Sequence, residues 1–216
     1  MSKKIVIVDY KLGNLFSVNQ VLVNIGLEPK ISCDPNDIAL ADAIVLPGVG
    51  AFKDAMDNLN TLNLSNPIIE SVRNGKPLFG ICLGLQLLFT QSEEFGSTSG
   101  LGLIEGDVRK FKTKDAEGGK VRVPQIAWNT IYGSQYRTWL NTPLENIPET
   151  DMYFVHSYYV VPKDEGDILT ETYYSGLKYA SSVLKNNIFA CQFHPEKSAQ
   201  EGIKIYKNWA QLNNLY

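Results

Sequence analysis

The fold expected for this chain rests on PLFGICLGLQLLF, residues 77–89. Residues 78–81 are a short apolar run typical of a buried strand, and residues 85–89 begin an apolar stretch typical of a helix. Between them, Gly80-Ile81-Cys82-Leu83-Gly84 has the spacing of a nucleophile elbow, a sharp strand-to-helix turn that raises one reactive side chain above the sheet. A cysteine there would lie at a helix N-terminus, which favours the nucleophilic thiolate. The alternative is that Cys82 is simply a small buried apolar residue.

The composition is that of an ordinary globular protein, because 44% of the 216 residues are hydrophobic and 20% are charged. The net charge of -3 predicts no general attraction to nucleic acid or anionic membranes. The N-terminal apolar run is too short for a signal peptide, and no stretch approaches the length needed to cross a bilayer. Three cysteines without a CxxC pair argue against a disulfide framework or a zinc site. We therefore expect a cytoplasmic protein without metal or cofactor.

The alternation of strands and helices predicts an α/β fold: a doubly wound, mostly parallel sheet with an antiparallel extension, in a single domain over residues 1–216. Up to the elbow, the predicted strands are 4–9, 28–32, 43–46 and 78–81, and the predicted helices are 15–25 and 66–74. After the elbow, the predicted strands are 106–111, 121–123, 130–132, 152–161, 168–174, 181–184 and 188–193, followed by a helix at 199–212. Loops are expected at 92–102, 112–119 and 141–150.

Three predicted strand ends carry candidate functional groups. Asp9-Tyr10, the segment from Pro47 to Gly50, and Cys82 each follow a predicted parallel strand. Because ligands of such sheets bind outside the carboxyl ends of the strands, we expect these three segments to border one crevice.

The histidines are the candidate bases for a cysteine nucleophile, and the sequence contains only His156 and His194. His194 ends an apolar strand, and Pro195 disfavours a helical conformation there. Because side chains two residues apart on an extended segment point to the same side, Glu196 is expected to hold the His194 imidazole. His156 lies within the strand sequence MYFVHSYYVV, where a hydrogen-bonded structural histidine is the expected role.

Backbone amides that could bind an oxyanion are expected at two places. The glycine-rich segment Pro47-Gly48-Val49-Gly50 ends a strand, and Leu83 follows the nucleophile directly. The alternative for the first segment is that it is only a turn. A cysteine, a histidine, a glutamate and two amides together make an acyl-transfer site, in which a thiolate attacks a carbonyl and the resulting thioester is hydrolysed.

Two motifs carry a resemblance to a known family. Residues 80–86, GICLGLQ, followed more than a hundred residues later by 192–196, QFHPE, resemble the class I glutamine amidotransferases. Residues 9–18, 46–52, 153–159 and 193–198 extend the likeness over nearly the whole chain, to the glutaminase subunits of imidazole glycerol phosphate synthase. The resemblance implies an enzyme that hydrolyses L-glutamine to glutamate and ammonia. The ammonia would pass to a cyclase that makes imidazole glycerol phosphate and AICAR in histidine biosynthesis.

The resemblance also implies roles for individual residues. The implied catalytic triad is Cys82, His194 and Glu196. The implied oxyanion hole is Gly48, Val49 and Leu83. The residues implied to hold the substrate glutamine are Gly50, Gln86, Glu94, Ser157 and Tyr158. A carboxylate at Glu94 suits the α-ammonium group of glutamine, and the alternative for Glu94 is a solvated loop residue.

A protein partner follows from the same resemblance. The family's enzyme is a heterodimer with a (β/α)8-barrel cyclase, which receives the ammonia through an internal channel. The residues implied to lie near that interface are Asn14, Trp128, Asn129, Tyr153 and Lys197.

The chain departs from the family's usual sequence at two places. It has PQIAWN at 124–129 where the family commonly has Pro-His-x-Gly-Trp-Asn, and Lys11 stands at a glycine-like position. Both departures fall on the side expected to meet the cyclase. The alternative function is therefore a paralogous glutaminase that feeds ammonia to a different synthase, such as a surface-sugar amidotransferase.

Two further classes of protein are disfavoured. A cysteine peptidase or hydrolase on a similar sheet does not account for Gln86, or for a histidine and a glutamate separated by one proline. A catalytically inactive binding module has no need to keep an intact cysteine, histidine and glutamate. Cys33 and Cys191 are interpreted as structural, and the C-x-x-H spacing that ends at His194 lacks the further ligand pair of a zinc site.

Overall fold

The computed structural model describes residues 3–114 and 118–216 of the chain. In chain order the strands are β1 (Ile5–Val8), β2 (Pro29–Ser32), β3 (Ala43–Gly48), β4 (Leu78–Cys82), β5 (Phe89–Ser92), β6 (Thr98–Ser99), β7 (Ile104–Lys110), β8 (Gln125–Gly133), β9 (Thr150–His156), β10 (Tyr158–Pro162), β11 (Ile168–Tyr174), β12 (Leu177–Lys185) and β13 (Ile188–Cys191). The helices are α1 (Leu15–Asn24), α2 (Pro35–Ala39), α3 (Phe52–Thr61), α4 (Ser65–Arg73), α5 (Leu83–Leu87) and α6 (Ala199–Leu212).

The central sheet is parallel and runs in the order β2-β1-β3-β4-β13. Its inner strands β1, β3 and β4 are buried along their whole length, as expected for strands with helices on both faces. On one face, α2, α3 and α4 pack through a core that includes Ile38, Met56 and Ile68. On the other face, α1 and α6 pack through a core that includes Leu22 and Trp209. The predicted doubly wound α/β fold is confirmed.

An antiparallel extension continues the sheet beyond β13 in the order β12-β10-β7. β5 pairs in parallel with β7, and β6 pairs with β5. A second branch leaves β12, in which β11 pairs with β12, β8 with β11, and β9 with β8. The predicted strand 152–161 is two strands, because the chain leaves its pairing with β8 at His156 and joins β7 from Tyr158 onward. The break at Ser157 brings this segment to the pocket above the elbow.

Helices α2 and α3 are absent from the predicted elements, although each carries a recognisable signal. Asp34 caps α2 by accepting a hydrogen bond from the Asn36 backbone N–H at 2.8 Å, and Pro35 occupies the first turn. In α3 the buried residues lie three and four apart along the sequence, which is the spacing of an amphipathic helix.

Other differences lie near the elbow and in the extension. α5 has only five residues, because the chain turns into β5 at Phe89. The predicted loop 92–102 contains β6, and the predicted strand 121–123 is not formed, although Val121 makes a backbone hydrogen bond to Thr113 at 2.9 Å. Of the predicted loop 112–119, residues 115–117 lie outside the described residues. The remaining predicted strands and helices are present, with shifted ends.

Candidate active site

The turn between β4 and α5 holds Cys82 in a conformation that L-residues rarely adopt, with φ +54° and ψ -109°. Such strain typically costs about 1–3 kcal/mol and persists only where the surrounding structure enforces it. A Cβ at Gly84 would lie 1.8 Å from the Leu46 carbonyl oxygen, and a Cβ at Gly80 would lie 2.9 Å from Ala190 Cβ. The two glycines therefore allow the elbow to pack directly against β3 and β13.

His194 reaches the elbow because β13 runs parallel to β4. Cys191 lies opposite Ile81 in the register of these strands, so the chain that leaves β13 passes beside Cys82. His194 has an extended conformation, with φ -105° and ψ 92°, as the following proline favours. Its backbone N–H donates to the Tyr153 carbonyl at 2.9 Å, which attaches this segment to β9.

The imidazole of His194 is held by Glu196. Its Nδ1 lies 2.8 Å from Glu196 Oε1, and both side chains are almost wholly buried. Burial alone would lower the pKa of His194, but the charges of Cys82 and Glu196 outweigh burial and raise this pKa to about 10. His194 is therefore protonated at neutral pH. Its Nε2 makes no well-aligned hydrogen bond within the described residues, so its interaction with Cys82 is chiefly electrostatic.

The Cys82 sulfur has further polar neighbours. Gln192 Nε2 donates toward the sulfur at 3.6 Å, and the sulfur lies 3.8 Å from the Val155 carbonyl oxygen. Gln192 Oε1 accepts a hydrogen bond from Gln86 Nε2 at 3.0 Å. Gln192 thus links Cys82 to Gln86, and no local spacing rule predicts this contact.

A pocket of about 270 Å³ opens over Cys82. Its lining joins segments that are far apart in the sequence: Val49, Gly50, Cys82, Leu83, Gln86, Glu94, Pro124, Val155, His156, Ser157 and Tyr158. All five residues expected to hold the substrate are among them. Pro124, Val155 and His156 line the pocket without a predicted substrate role. The pocket is smaller than those typical of drug-sized ligands, which suits a small metabolite.

The segment after β3 forms one wall of this pocket. Gly48 pairs with Cys82 in the register of β3 and β4, and residues 49–50 continue to the pocket. A side chain at position 48 is excluded, because a Cβ there would lie 2.0 Å from the Tyr10 hydroxyl oxygen. That hydroxyl donates to the Pro47 carbonyl at 2.8 Å, so the chain after β1 supports this wall. The structure thus brings together the three strand ends that were expected to border one crevice.

Glu94 reaches the pocket from the segment that follows β5, and its side chain is partly buried. Its Oε2 accepts a hydrogen bond from the backbone N–H of Phe52, the first residue of α3, at 2.6 Å. Burial raises the pKa of this carboxyl, and the charge of Asp54 adds to the rise, whereas the Phe52 hydrogen bond opposes it. Glu94 is therefore a pocket carboxyl and not a freely solvated loop residue.

His156 is a hydrogen-bonded histidine in the pocket wall. Its Nδ1 lies 2.8 Å from the Tyr158 carbonyl oxygen, and its Nε2 lies 3.3 Å from the Tyr179 hydroxyl. Burial lowers the pKa of His156 to about 4, the hydrogen bond to Tyr158 opposes that change, and the nearby His194 adds to it. His156 is consequently neutral at pH 7, and it has the structural role expected from its place in a strand.

Trp128, Tyr153 and Lys197 form a cluster that we call the tryptophan surface. The ring centroids of Trp128 and Tyr153 are 6.1 Å apart, and Lys197 Nζ lies 5.7 Å from the Tyr153 ring centroid. Trp128 is 52% exposed. The Tyr153 ring also lies 6.4 Å from the His194 ring, so this surface connects directly to His194.

The other two residues implied to lie near a partner have different surroundings. Asn129 follows Trp128 on β8, so its side chain points to the opposite face of the strand, where Nδ2 donates to the Tyr173 carbonyl at 2.8 Å. Asn14 immediately precedes α1, and its Oδ1 accepts a hydrogen bond from the Ser17 hydroxyl at 3.0 Å. Of the five residues, three therefore form one cluster.

Comparison with known proteins agrees with this geometry. The family model described as glutamine amidotransferase class-I matches residues 6–211. The chain belongs to the class I glutamine amidotransferases. It is 43% identical over 206 residues, 95% of each chain, to "Imidazole glycerol phosphate synthase subunit HisH" of Bacillus velezensis. A protein of the same name from Syntrophotalea carbinolica is 44% identical over 213 residues, which are 96% of this chain and 100% of that chain.

The fold of this amidotransferase is shared with more distant solved structures. PurLQS from Thermotoga maritima has a TM-score of 0.70 at 19% identity, covering 98% of this chain and 99% of that chain. The glutaminase domain of CTPS from Trypanosoma brucei has a TM-score of 0.63 at 17% identity, covering 97% of this chain and 94% of that chain. At these identities the similarity establishes the fold alone.

The two departures from the usual sequence of the glutaminase subunits have different positions in this amidotransferase. Gln125, which stands where those subunits commonly have histidine, is fully buried, and its Oε1 accepts a hydrogen bond from the Tyr179 hydroxyl at 3.0 Å. The change at position 125 therefore belongs to the interior, whereas Ala127, at the usual glycine position, is only partly buried. Lys11 has φ +70°, the conformation that favours glycine, and its Nζ lies 2.9 Å from the Asp9 carboxylate.

All three cysteines of the amidotransferase are free, with Cys33 exposed and Cys82 and Cys191 buried. Over residues 3–114 and 118–216, no group of three or more His, Cys, Asp or Glu side chains is arranged to hold a metal ion. Within the same ranges, no helix has the length and apolar character required to cross a membrane.

Proposed function

We propose that this amidotransferase is the glutaminase subunit of an imidazole glycerol phosphate synthase and hydrolyses L-glutamine to glutamate and ammonia. The ammonia is used by a cyclase partner that makes imidazole glycerol phosphate and AICAR in histidine biosynthesis. The observation that carries the proposal is the Cys82 elbow beneath a small pocket, backed by the buried His194–Glu196 pair. The names of the relatives favour this function over ammonia supply to a surface-sugar amidotransferase.

In the first half-reaction, the Cys82 thiolate attacks the side-chain amide carbon of glutamine. A C–S bond forms while the carbonyl oxygen becomes an oxyanion, which we assign to backbone amides of residues 48–49 and of Leu83. Collapse of this intermediate breaks the C–N bond, and His194 gives its proton to the departing ammonia. The raised pKa of His194 supports this role, because it keeps the imidazole protonated and able to donate at neutral pH.

In the second half-reaction, water hydrolyses the thioester. The neutral His194 accepts a proton from the attacking water, and collapse of the second oxyanion intermediate expels the Cys82 thiolate and releases glutamate. Throughout the cycle, Glu196 accepts the Nδ1–H of His194 and so directs Nε2 toward the sulfur. Glutamine and one water are thus converted to glutamate and one ammonia, and the site returns to its starting state.

We assign recognition of the substrate's α-ammonium group to the Glu94 carboxylate, which is the acidic side chain of the pocket lining. Gln86 is proposed to present its side-chain oxygen to the substrate, because its Nε2 already donates to Tyr158 and Gln192 at 3.0 Å each. Gly50 and the backbone at 157–158 complete the wall around the substrate.

The partner is proposed to be a (β/α)8-barrel cyclase that docks on the tryptophan surface. Aromatic side chains are enriched at protein interfaces, and Ile126, which is 57% exposed on the same face of β8 as Trp128, extends the apolar area. Because the Tyr153 ring joins this surface to His194, a docked partner can influence the triad directly. We propose that the heterodimer works in the cytoplasm and that residues 1–216 act as a single domain.

Replacement of the nucleophile tests the catalytic assignment. In the complex with the cyclase, Cys82→Ser should abolish the reaction driven by glutamine and leave the reaction driven by free ammonia intact. Cys33→Ser, which changes an exposed cysteine, is the matched control and should leave both reactions unchanged. Glutamine hydrolysis by Cys82→Ser at the wild-type rate would refute the nucleophile, whereas loss of both reactions would indicate structural damage.

The identity of the partner is tested by co-purification from the native source, followed by glutaminase assays with the acceptor substrate of each recovered protein. We expect low activity in the isolated chain and stimulation by the histidine-pathway cyclase when that cyclase carries its acceptor. Stimulation only by a different synthase would contradict the assignment to histidine biosynthesis.

A further inference from the structure

Two buried oxygen atoms beside the triad lack a well-aligned hydrogen bond within the described residues. One is Oε2 of Glu196, the carboxylate oxygen that does not contact His194. The other is the hydroxyl of Tyr206 on α6, a side chain that is 0% exposed. Unpaired polar atoms are rare in protein interiors, because burial removes the water that would otherwise satisfy them. A hydrogen bond between these two oxygen atoms would satisfy both of them.

The surroundings of Tyr206 support that hydrogen bond. α6 packs against the turn at residues 195–197, so the helix that carries Tyr206 contacts the backbone that carries Glu196. The Tyr206 ring packs on Phe79 with ring centroids 5.0 Å apart, which holds the ring in place. Burial raises the pKa of the phenol, and the charge of the Glu196 carboxylate raises it further. A phenol that stays protonated is a hydrogen-bond donor, and a carboxylate oxygen is its natural acceptor.

We propose that Tyr206 is a positioning residue of the glutaminase, whose hydroxyl donates to Glu196 Oε2 and so holds the carboxylate that orients His194. The proposal rests on the glutaminase function proposed above. With one oxygen bound to His194 and the other to Tyr206, the carboxyl group cannot rotate away from the imidazole. Tyr206 is absent from the pocket lining, so it acts through Glu196 and not on the substrate.

Tyr206→Phe tests the proposal, because it removes the hydroxyl and keeps the ring that packs on Phe79. In the complex with the cyclase, kcat for glutamine should fall about tenfold, since hydrogen bonds to charged groups are among the strong ones, while KM for glutamine stays unchanged. Tyr136→Phe is the matched control, because Tyr136 is exposed, is absent from the lining of the pocket over Cys82, and has its pKa raised by interaction with a carboxylate, that of Glu165. This control should leave both constants unchanged.

A double-mutant cycle shows whether Tyr206 acts through Glu196. In a Glu196→Ala background there is no carboxylate to position, so Tyr206→Phe should cause no further loss of kcat. A tenfold loss in both backgrounds would overturn the proposal. So would an unchanged kcat together with a raised Tm in Tyr206→Phe, because removal of a truly unpaired hydroxyl is neutral or stabilising.

Failure of the Tyr206–Glu196 proposal can be distinguished from failure of the proposed glutaminase function. A wild-type complex without glutaminase activity would refute that function and would leave the hydrogen bond to be tested by thermal unfolding. In that case, Tyr206→Phe should lower the Tm of the wild-type chain but not that of Glu196→Ala. Equal changes of Tm in the two backgrounds would overturn the Tyr206–Glu196 pairing.

Discussion

His156 makes the stability of the protein depend on pH, by an amount that follows from its pKa. Burial lowers this pKa from the ordinary value of 6.5 to about 4. Because the folded state then binds fewer protons than the unfolded state, stability is fully present above pH 6.5 and is lost as the pH falls toward 4. At about 1.4 kcal/mol for each pKa unit, the complete loss amounts to about 3 kcal/mol.

His156→Gln removes this titration and keeps a polar side chain beside Tyr158 and Tyr179. Between pH 7.5 and pH 5.5, the free energy of unfolding of the wild type should therefore fall by about 1 kcal/mol more than that of the variant. The measurement is urea unfolding of both proteins at both pH values, followed by two spectroscopic probes whose transitions should coincide. The variant is expected to be less stable than the wild type at pH 7.5 but less sensitive to the change in pH.

The comparison isolates His156, because every other titrating group is present in both proteins. His194 in particular acts in the opposite direction: its pKa is raised to about 10, so its contribution is fully present below pH 6.5 and is lost as the pH rises through 10. If the wild type and His156→Gln lose the same stability between pH 7.5 and pH 5.5, burial does not keep His156 neutral.

Three further predictions concern the elbow, the pocket and the tryptophan surface. Gly84→Ala should abolish glutaminase activity and lower the free energy of unfolding by about 3 kcal/mol, because its Cβ would lie 1.8 Å from the Leu46 carbonyl oxygen. Gly133→Ala is the matched control, because its Cβ would meet nothing closer than 3.8 Å. An active Gly84→Ala variant would contradict the close packing of the elbow against β3. Glu94→Gln should raise KM for glutamine about tenfold or more, because a charged hydrogen bond is lost. In the wild type, KM should rise as the pH falls toward the raised pKa of Glu94, and a KM without pH dependence would argue against this ion pair. Trp128→Ala should weaken cyclase binding about tenfold in a titration, as expected for an interfacial tryptophan, and an unchanged Kd would exclude this surface as the interface.

Local sequence rules were sufficient for the elbow and for the His194–Glu196 pair. The Gly-x-Cys-x-Gly spacing predicts a tight turn. The structure explains the second glycine, because a Cβ at position 84 would collide with β3. The proline after His194 favours an extended backbone, which places Glu196 on the same side as the imidazole. Strand and helix periodicity likewise predicted the doubly wound sheet, because buried parallel strands are apolar along their whole length.

Long-range packing accounts for the remaining features, since no spacing rule connects residues that are distant in the chain. The register of β13 on β4 brings Gln192 and His194 to Cys82. The break between β9 and β10 places Ser157 in the pocket wall, where the sequence predicted one continuous strand. The proposed hydrogen bond from Tyr206 to Glu196 depends on how α6 packs against the turn after β13. The sequence therefore pointed to Cys82, His194 and Glu196 as the candidate reactive side chains, whereas the packing of the sheet and of α6 determines the contacts around them.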